Sequence, residues 1–497
     1  MAYELEAFEE LGLDAALLSH LLAEHASHRV PRLERLWSYY RNDAVDRTGV
    51  GLGRSKRFGS GASAGREYRL AQERGLPARL RIPARRVGVD DRAGKPEVVI
   101  ENDIAWRIDT LVDFVFGKPV MVLSTAEDPQ TRDTIERVLD AALEASGGIG
   151  LFQDAALLGG VHGYVDLRVY AEAMFDAAHA LASSGSVSVE SAVELARLVR
   201  VEAIEPTRGV PMVNPGDYRE MDAFITRSVR TEHALDGDEE ARRAEREVVE
   251  VLSASAIETY VDGALHEGRV NRLGVLPVVH VQNGSQPFEY EGLSDVEPLI
   301  PLQDELNTRL SDRAHRVTLQ SFQMYLAKGL EGFAEMPVGP GQVFATDNLD
   351  ASIHTIGGDA HAPSEGAHIE ELRDALDKTS AVSPAAIGVV RERLGHLSSE
   401  NALRVTMSGI LAKTERKRVA YGRGITRVCE LILQALDVAG VLRTERADRG
   451  VRLAWPDPLP VDENERLSAA SRKVELGIGR ERALAELGYG EGDPGVQ

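Results

Sequence analysis

The stretch from Ser399 to Gly440 constrains the fold of this chain most, because its apolar residues recur at the spacing of one long helix. Gly440 supplies a stop for that helix. A helix of roughly 40 residues is about 60 Å long, which is more than a compact domain needs. The stretch therefore predicts a rod that spans a large assembly or lines something. Its two apolar stripes are Leu403, Met407, Ile410 and Leu411, and then Val428, Leu431, Ile432 and Leu436.

The middle of this predicted helix combines positive charge with two glycines. Gly422 and Gly424 lie two positions apart, and they predict a short break or kink in the helix. The basic side chains between the two apolar stripes are Lys413, Arg416, Lys417, Arg418, Arg423 and Arg427.

The composition fits a soluble globular chain of two to four domains, with 497 residues, 43% hydrophobic and 27% charged. The formal net charge of −22 is more informative. Lys and Arg contacts to phosphates supply most non-specific affinity for nucleic acid, so a chain this acidic repels DNA on average. Any contact with DNA is expected to be local and weak.

Neither a membrane span nor a signal peptide is expected. No stretch approaches 18 consecutive apolar residues, and the acidic start Tyr3–Glu6 lacks a basic region followed by an apolar one. The single cysteine, Cys429, lies in the apolar part of the long helix, so no disulfide can form within one chain. We interpret Cys429 as a small core residue rather than a nucleophile.

The hydrophobic pattern of residues 151–292 differs from that of the rest of the chain. A helical pattern is followed by alternating, strand-like patterns near 165–169, 200–206, 222–230, 248–260 and 275–282. Closely spaced strands of this kind predict an antiparallel sheet with helices packed against it. The fold class is therefore predicted to be α+β.

A glycine-rich basic stretch at 49–65 carries Arg54, Lys56 and Arg57. It invites interpretation as a phosphate-binding loop, but no strand precedes the glycines and no Gly-Lys-Ser/Thr opens a helix after them. We predict a mobile basic loop here instead.

Two clusters of residues are candidates for metal binding or catalysis. The first consists of His354, Asp359, His361 and His368, which could hold a metal ion but lie in a turn-rich segment that does not fix them on one face. The second pairs His162 with Asp166, on the assumption that both lie on one face of a strand over 160–170. Neither has a nucleophile or a complete ligand set, so the sequence predicts no catalytic site, no metal and no cofactor.

Three groups of residues together resemble the portal proteins of tailed bacteriophages, in the branch typified by the Bacillus phage SPP1 portal. The first is Trp37–Asp43, similar to an early Tyr-Tyr-x-Gly-Asp signature, with Asn102 and a helix running into Phe116–Pro119. The second is 274–283, followed by Leu293–Glu297 and Leu310–Asp312. The third is Ser399–Leu403, at the start of the long helix. Asn42 and Glu400 stand where the family pattern has Gly.

The resemblance implies a division of the chain. The wing would be 1–292, completed by 440–460, and the crown 461–497. The two stem helices would be 293–330 and 367–381, with the clip, 331–366, between them. Residues 382–398 would form the tunnel loop and 399–439 the tunnel helix.

The resemblance also implies a function. The chain would form a ring, usually of twelve subunits, at one capsid vertex in the virion, after assembly in the host cytoplasm. Double-stranded DNA would be packaged, retained and ejected through the ring without sequence preference. The implied partners are the terminase large subunit, a head–tail adaptor protein, and the major capsid and scaffolding proteins; no membrane and no enzymatic activity are implied.

Within that framework, Arg391, Arg393 and His396 of the tunnel loop are candidates for contact with DNA phosphates, or else for salt bridges with Glu392, Glu400 or a neighbouring subunit. The basic residues of the long helix could face DNA, but we predict contacts with acidic residues of the neighbouring subunit. The rival hypothesis is a metal-dependent α+β hydrolase that uses His354, Asp359, His361 and His368.

Overall fold

Local sequence signals set many element boundaries in the computed structural model. Asp14 and Asp128 cap two helices, where their carboxylates accept the backbone N–H of Leu17 at 2.7 Å and of Thr131 at 2.8 Å. Gly163 ends a helix in the left-handed conformation, with a φ of 100°. The structure describes residues 3–45, 69–80, 97–181, 188–233, 243–321, 324–328, 348, 350–356, 363–389, 404–459 and 463–475.

Eleven α-helices are named within these described ranges. They are α1 Ala15–Glu24, α2 Val30–Arg41, α3 Ala105–Phe116, α4 Pro129–Ala145, α5 Ile149–His162, α6 Glu172–Leu181, α7 Val189–Ala196, α8 Ile300–Ser321, α9 Pro363–Ser380, α10 Ser408–Val438 and α11 Glu463–Glu475. A π-helical turn, His25–Arg29, joins α1 to α2. Short 3-10 helices are Glu6–Leu11, Ala71–Gly75, Glu297–Leu299 and Pro384–Ile387.

The strands of the described ranges pair only antiparallel. They are β1 Ala44–Val45, β2 Arg69–Leu70, β3 Met121–Ser124, β4 Tyr164–Tyr170, β5 Arg200–Ile204, β6 Gly209–Asn214, β7 Asp217–His233, β8 Arg243–Ser253, β9 Ala256–Val261, β10 Ala264–Val270, β11 Val278–Gln282, β12 Met324–Lys328, β13 Ser352–Ile356 and β14 Val451–Ala454. Sheets with helices packed against them confirm the predicted α+β class.

The chain divides into two compact units. The first contains the described residues of 1–33, 109–294 and 382–497, and it holds three sheets with strand orders β10-β9-β8-β7-β6, β11-β4-β5 and β14-β3. Arg168 of β4, 1% exposed, donates to Glu250 of β8 at 2.9 Å. This buried charge-assisted pair connects the three-stranded sheet to the five-stranded one.

Helix α10 supplies one side of the main hydrophobic core of this first unit. Val428, Ile432 and Leu436 are fully buried and pack with α4, α5 and the three-stranded sheet. Cys429 is likewise 0% exposed, and its burial raises the pKa of the thiol to about 12. The structure thus confirms the predicted apolar stripe and the core role of Cys429.

The second unit contains the described residues of 34–108 and 295–381. A row of buried polar side chains on α8, which we call the polar ladder, bonds the backbone of segment 97–103. Three side chains four residues apart each accept one backbone N–H. The pairs are Ser311 with Val99 at 3.0 Å, Asn307 with Glu101 at 3.0 Å and Gln303 with Asp103 at 3.1 Å.

All three ladder side chains on α8 are 0% exposed. Buried polar atoms need partners, and here the helix and the backbone of the segment satisfy each other. Gln72 extends the network, because its Oε1 accepts from Asn307 at 3.0 Å and its Nε2 donates to the carbonyl of Tyr39 at 2.7 Å. Hydrogen bonds therefore specify the packing in this part of the second unit.

The predicted strand placement of His162 was wrong, because His162 is the last residue of α5 and Gly163 stops that helix before β4 begins. Among the described residues, α10 has 31 residues from Ser408 to Val438 and spans about 46 Å. Residues 399–403 lie outside the described ranges, so the start of the long helix at Ser399 stays a prediction. Its C-terminal stop is as predicted, with Gly440 at a φ of 69°. The 49–65 loop lies outside the described residues.

Candidate functional site

The basic middle of α10 was the main site candidate, and the structure divides its side chains into two sets. Lys417 and Arg418 are buried, with 6% and 8% exposure. Arg416, Arg423 and Arg427 are exposed, and Lys413 is half-buried. Different faces of the helix account for this division.

Lys417 is held inside its own subunit by Asn283, the residue that follows β11. Its Nζ donates to Oδ1 of Asn283. The hydroxyl of Tyr421 donates to the same oxygen at 3.1 Å, and Nδ2 of Asn283 donates to the carbonyl of Leu293 at 3.0 Å. A buried ammonium group is stable only with such acceptors, so Lys417 anchors the helix to the end of β11.

Arg418 also has partners within the subunit. Its Nη2 donates to the carbonyl of Pro456 at 2.8 Å, and Nη1 lies 3.2 Å from Glu415. The guanidinium carbon lies 5.2 Å from the ring centroid of Trp455, within range of a cation–π interaction. Lys417 and Arg418 thus have partners within one subunit. Contact with the neighbouring subunit stays a prediction for all six basic residues of α10.

The exposed face of α10 forms one wall of an open groove of about 500 Å³, which we call the α10 groove. Val419, 57% exposed, contributes apolar surface, as do the half-buried side chains of Leu453 and Trp455. Arg423 and Arg427 also line it, and Arg427 pairs with Glu430 at 2.8 Å. Arg423 has no ion pair among the described residues. The groove therefore combines apolar side chains with two arginines, one of which is paired with the carboxylate of Glu430, also in the lining.

The two glycines of α10 do not interrupt the helix. Hydrogen bonding is continuous from Ser408 to Val438, so the predicted break is wrong, while a bend of the helix axis there stays a prediction. Gly424 has a packing role instead, because a Cβ at this position would collide with the side chain of Val281 on β11. At Gly422 a Cβ would lie in ordinary contact, 3.6 Å from Cδ1 of Leu453.

The predicted pair of His162 and Asp166 is replaced by a different network. Oδ1 of Asp166 accepts from the hydroxyl of Tyr290 at 2.6 Å and lies 2.8 Å from Nδ1 of His280. Nε2 of His280 lies 2.8 Å from the carbonyl oxygen of Tyr290, and the two rings stack at 3.9 Å. Burial, and then the charge of Asp166, raise the pKa of Tyr290 well above its usual value. The network holds the segment after β11 in place.

The candidate metal cluster is not assembled by the described residues. His354 lies on β13 and His368 on α9, whereas Asp359 and His361 fall outside the described ranges. His368 lies 3.8 Å from Glu305 and 3.6 Å from Glu371. Within the part of the chain that the structure describes, no three His, Cys, Asp or Glu side chains are placed to hold a metal ion.

Arg391, Arg393 and His396 also lie outside the described residues. The proposed contact of these side chains with DNA therefore stays a prediction. Just before them, Pro384–Ile387 forms a 3-10 helix that ends at Gly388 with a φ of 80°.

Asn42 gives a physical reason for one departure from the family pattern. Its φ of 47° lies in the left-handed region, which Gly adopts freely and which Asn tolerates better than most residues. Its side-chain oxygen also accepts the backbone N–H of Gln72 at 3.0 Å. Asn42 can therefore take the conformation for which the family pattern has glycine.

Comparison with known proteins identifies the family. The family described as "Phage portal protein, SPP1 Gp6-like" matches residues 19–487. The chain belongs to this family of phage portal proteins. It is accordingly a portal protein of a capsid vertex, where the viral genome is packaged and ejected, and the rival hydrolase is not favoured.

The similarity to individual proteins is more distant. No curated protein matched the sequence. Among solved structures, a chain of the virion of a native gene transfer agent particle is 11% identical with a TM-score of 0.42, covering 78% of this chain and 89% of that one. A chain of the neck of an empty particle, computed with C6 symmetry, is 13% identical with a TM-score of 0.44 and coverages of 78% and 90%. A chain of the neck of the native particle, computed with C12 symmetry, is 13% identical with a TM-score of 0.42 and coverages of 78% and 89%.

A search of the described helices for membrane-spanning candidates found none that is both long and apolar enough.

Proposed function

We propose that this chain assembles into a closed ring of twelve subunits and acts as a DNA channel without enzymatic activity. The observation that carries the proposal is the family match over residues 19–487. The similar gene transfer agent necks were computed with C6 and C12 symmetry, and we extend a twelve-fold ring to this chain as part of the proposal.

We assign each part of the proposed portal subunit to a segment of the chain. Residues 1–292 with 440–460 form the wing, and 461–497 the crown. Residues 293–330 and 367–381 are the stem helices, 331–366 the clip, 382–398 the tunnel loop and 399–439 the tunnel helix. The clip docks first the terminase large subunit and later the head–tail adaptor, while the major capsid and scaffolding proteins contact the ring from outside.

The charge of the chain supports a channel that does not hold DNA. A net charge of −22 repels a duplex on average, and each phosphate contact made during translocation must be broken again. Arg391, Arg393 and His396 provide local contacts with phosphates in this proposal. The exposed basic residues of α10 face the neighbouring subunit, where they neutralise part of its acidic surface.

The proposal is tested by measuring the mass of the purified chain by light scattering and imaging it by electron microscopy. We expect particles of several hundred kilodaltons with a central hole and twelve-fold symmetry. A stable monomer or dimer with stoichiometric bound metal would contradict the proposal and favour the hydrolase.

A further inference from the structure

The segment that follows β11, residues 283–293, is held firmly at its base. The side chain of Gln282 makes four hydrogen bonds to it. Its Nε2 lies within donating distance of the carbonyls of Glu289 at 2.7 Å, Gln286 at 3.2 Å and Tyr290 at 3.3 Å, and its Oε1 accepts the N–H of Gln286 at 3.1 Å. The backbone N–H of Leu293 donates to the carbonyl of Gly284 at 2.9 Å, closing the segment into a loop. We call this segment the β11 loop. A loop fixed in this way presents its tip in one conformation.

Phe288 lies at the tip of the β11 loop and is 81% exposed. Its φ of 69° is in the left-handed region, which a bulky aromatic residue rarely adopts. Strain of this kind persists where the surroundings fix it, and it concentrates at binding positions. A rigid, exposed aromatic side chain is also the residue type that anchors protein interfaces. Glu289, beside it, is exposed and adds a negative charge to the tip.

The α10 groove has the complementary properties. Its apolar surface, with Val419 and Trp455, suits an aromatic ring, and Arg423 at its edge suits a carboxylate. The volume of about 500 Å³ leaves room for one aromatic side chain. Phe288 does not line the groove of its own chain. The aromatic, acidic tip and the apolar, basic groove are thus two different patches of one compact unit.

We propose that Phe288 of one subunit inserts into the α10 groove of the next subunit, with its Glu289 facing Arg423. Two different, complementary patches on identical chains make a head-to-tail contact, and such contacts close into rings when the rotation between copies allows it. The inference rests on the proposed ring and names a contact that joins its subunits. Burial of Phe288 in the assembly also explains why the chain maintains an exposed aromatic residue in a strained conformation.

The first test uses Phe288→Gly, because glycine adopts the left-handed conformation without strain. We expect the variant to fold at least as well as the wild type by circular dichroism, while the protein concentration at which rings half-dissociate rises at least tenfold. Leu265→Ala, which trims another exposed apolar side chain, is the matched control and is expected to leave that concentration within twofold. Wild-type-like rings of Phe288→Gly would overturn the inference.

A second test detects the neighbour directly. Since Cys429 is the only cysteine and is buried, the double variant Glu289→Cys with Arg423→Cys introduces the only accessible thiols. Under mild oxidation we expect a ladder of disulfide-linked oligomers on a non-reducing gel, and each single variant is expected to give at most dimers. Rings of the double variant that give only monomers would overturn the inference while leaving the ring intact.

The two tests separate this contact from the proposed function. A wild-type chain that forms no ring contradicts the proposed function itself. A wild-type ring that withstands Phe288→Gly and shows no cysteine ladder contradicts only the contact between the β11 loop and the α10 groove.

Discussion

The hydroxyl of Tyr421 and Oδ1 of Asn283 are joined by a 3.1 Å hydrogen bond, and the same oxygen accepts from the buried ammonium group of Lys417. One amide side chain after β11 therefore serves two donors on α10. The two residues of this bond lie 138 positions apart, so it fixes the long helix against the sheet.

We expect Tyr421→Phe to lower the free energy of unfolding by about 1 kcal/mol, since it removes one neutral hydrogen bond. Asn283→Ala should cost about 3 kcal/mol, because it also removes the acceptor of a buried cation and the donor to Leu293. Asn283→Asp keeps an acceptor for both donors and should fall between the two. Urea unfolding of the three variants measures this order. An Asn283→Ala variant that is no less stable than Tyr421→Phe would refute it.

The two glycines of α10 should respond to alanine with opposite signs. Gly424→Ala forces a methyl group against the stiff side chain of Val281, and overpacking of this kind costs about 1–3 kcal/mol. Gly422→Ala meets only ordinary contacts and should stabilise the subunit by up to about 1 kcal/mol through helix propensity. Thermal unfolding midpoints of the two variants provide the measurement. If both glycines act as hinges instead, both variants should alter the shape of the ring and shift the midpoints in the same direction.

The polar ladder predicts a local effect in the second unit. Ser311→Ala removes the acceptor of the Val99 N–H and should cost about 1–3 kcal/mol, since Ser311 is fully buried. Hydrogen exchange followed by mass spectrometry should show faster exchange in a peptide covering 97–103. Thr318→Ala, at an exposed position of the same helix, is the control and should change neither quantity.

The burial of His162 predicts that the first unit is sensitive to acid. Burial first, and the positive charge of Arg32 second, lower the pKa of His162 from 6.5 to about 4. The folded state therefore favours the neutral imidazole of His162. The contribution of this neutral ring to the free energy of unfolding is fully present above pH 6.5. That contribution of about 3 kcal/mol is lost as the pH falls from 6.5 to 4.

Urea midpoints measured at pH 7 and pH 4.5 test this prediction. The difference between the urea midpoints at the two pH values should shrink in His162→Gln. It should stay unchanged in His179→Gln, which alters an exposed histidine on α6. An unchanged difference in His162→Gln would assign the acid sensitivity to other groups, such as His25, whose pKa burial also lowers.

The proposed role of the tunnel loop predicts variants that are defective with DNA but still assemble into rings. Arg391→Ala with Arg393→Ala should leave ring assembly intact while DNA packaging or retention changes, because only weak phosphate contacts are lost. Packaging assays with purified rings, with light scattering as the assembly control, provide the measurement. Unchanged packaging would remove the role assigned to these two arginines.

Periodicity in the sequence predicted the elements well where one face is apolar. The apolar face of α10 around Val428 and Ile432, its stop at Gly440 and the strand β4 are all as expected. The sequence could not reveal that Lys417 and Arg418 are buried, because their partners, Asn283 and the Pro456 carbonyl, lie far away in the chain. Charged residues in a helix are ordinarily solvated, so the basic middle was predicted to be one surface.

Gly424 and His162 show the same limitation. A glycine inside a helix is compatible with a hinge or with close packing, and only the position of Val281 decides between them. The apolar run around His162 is compatible with a helix end or a strand, and the left-handed conformation of Gly163 decides that. Local composition leaves both alternatives open until tertiary neighbours are known.

The polar ladder also determines how the second unit responds to force. The ladder residues of α8 follow one another at intervals of four residues, about 6 Å along the helix axis, and their partners in segment 97–103 follow at intervals of two residues. The three bonds run antiparallel, from 99 with 311 to 103 with 303. A load along the axis of α8 shears all three bonds together, whereas a load that peels away one end breaks them in turn. Resistance to tension in this part of the portal therefore depends on the direction of pulling, and inserting one residue between Gln303 and Ser311 would put one of the three bonds out of register with the other two.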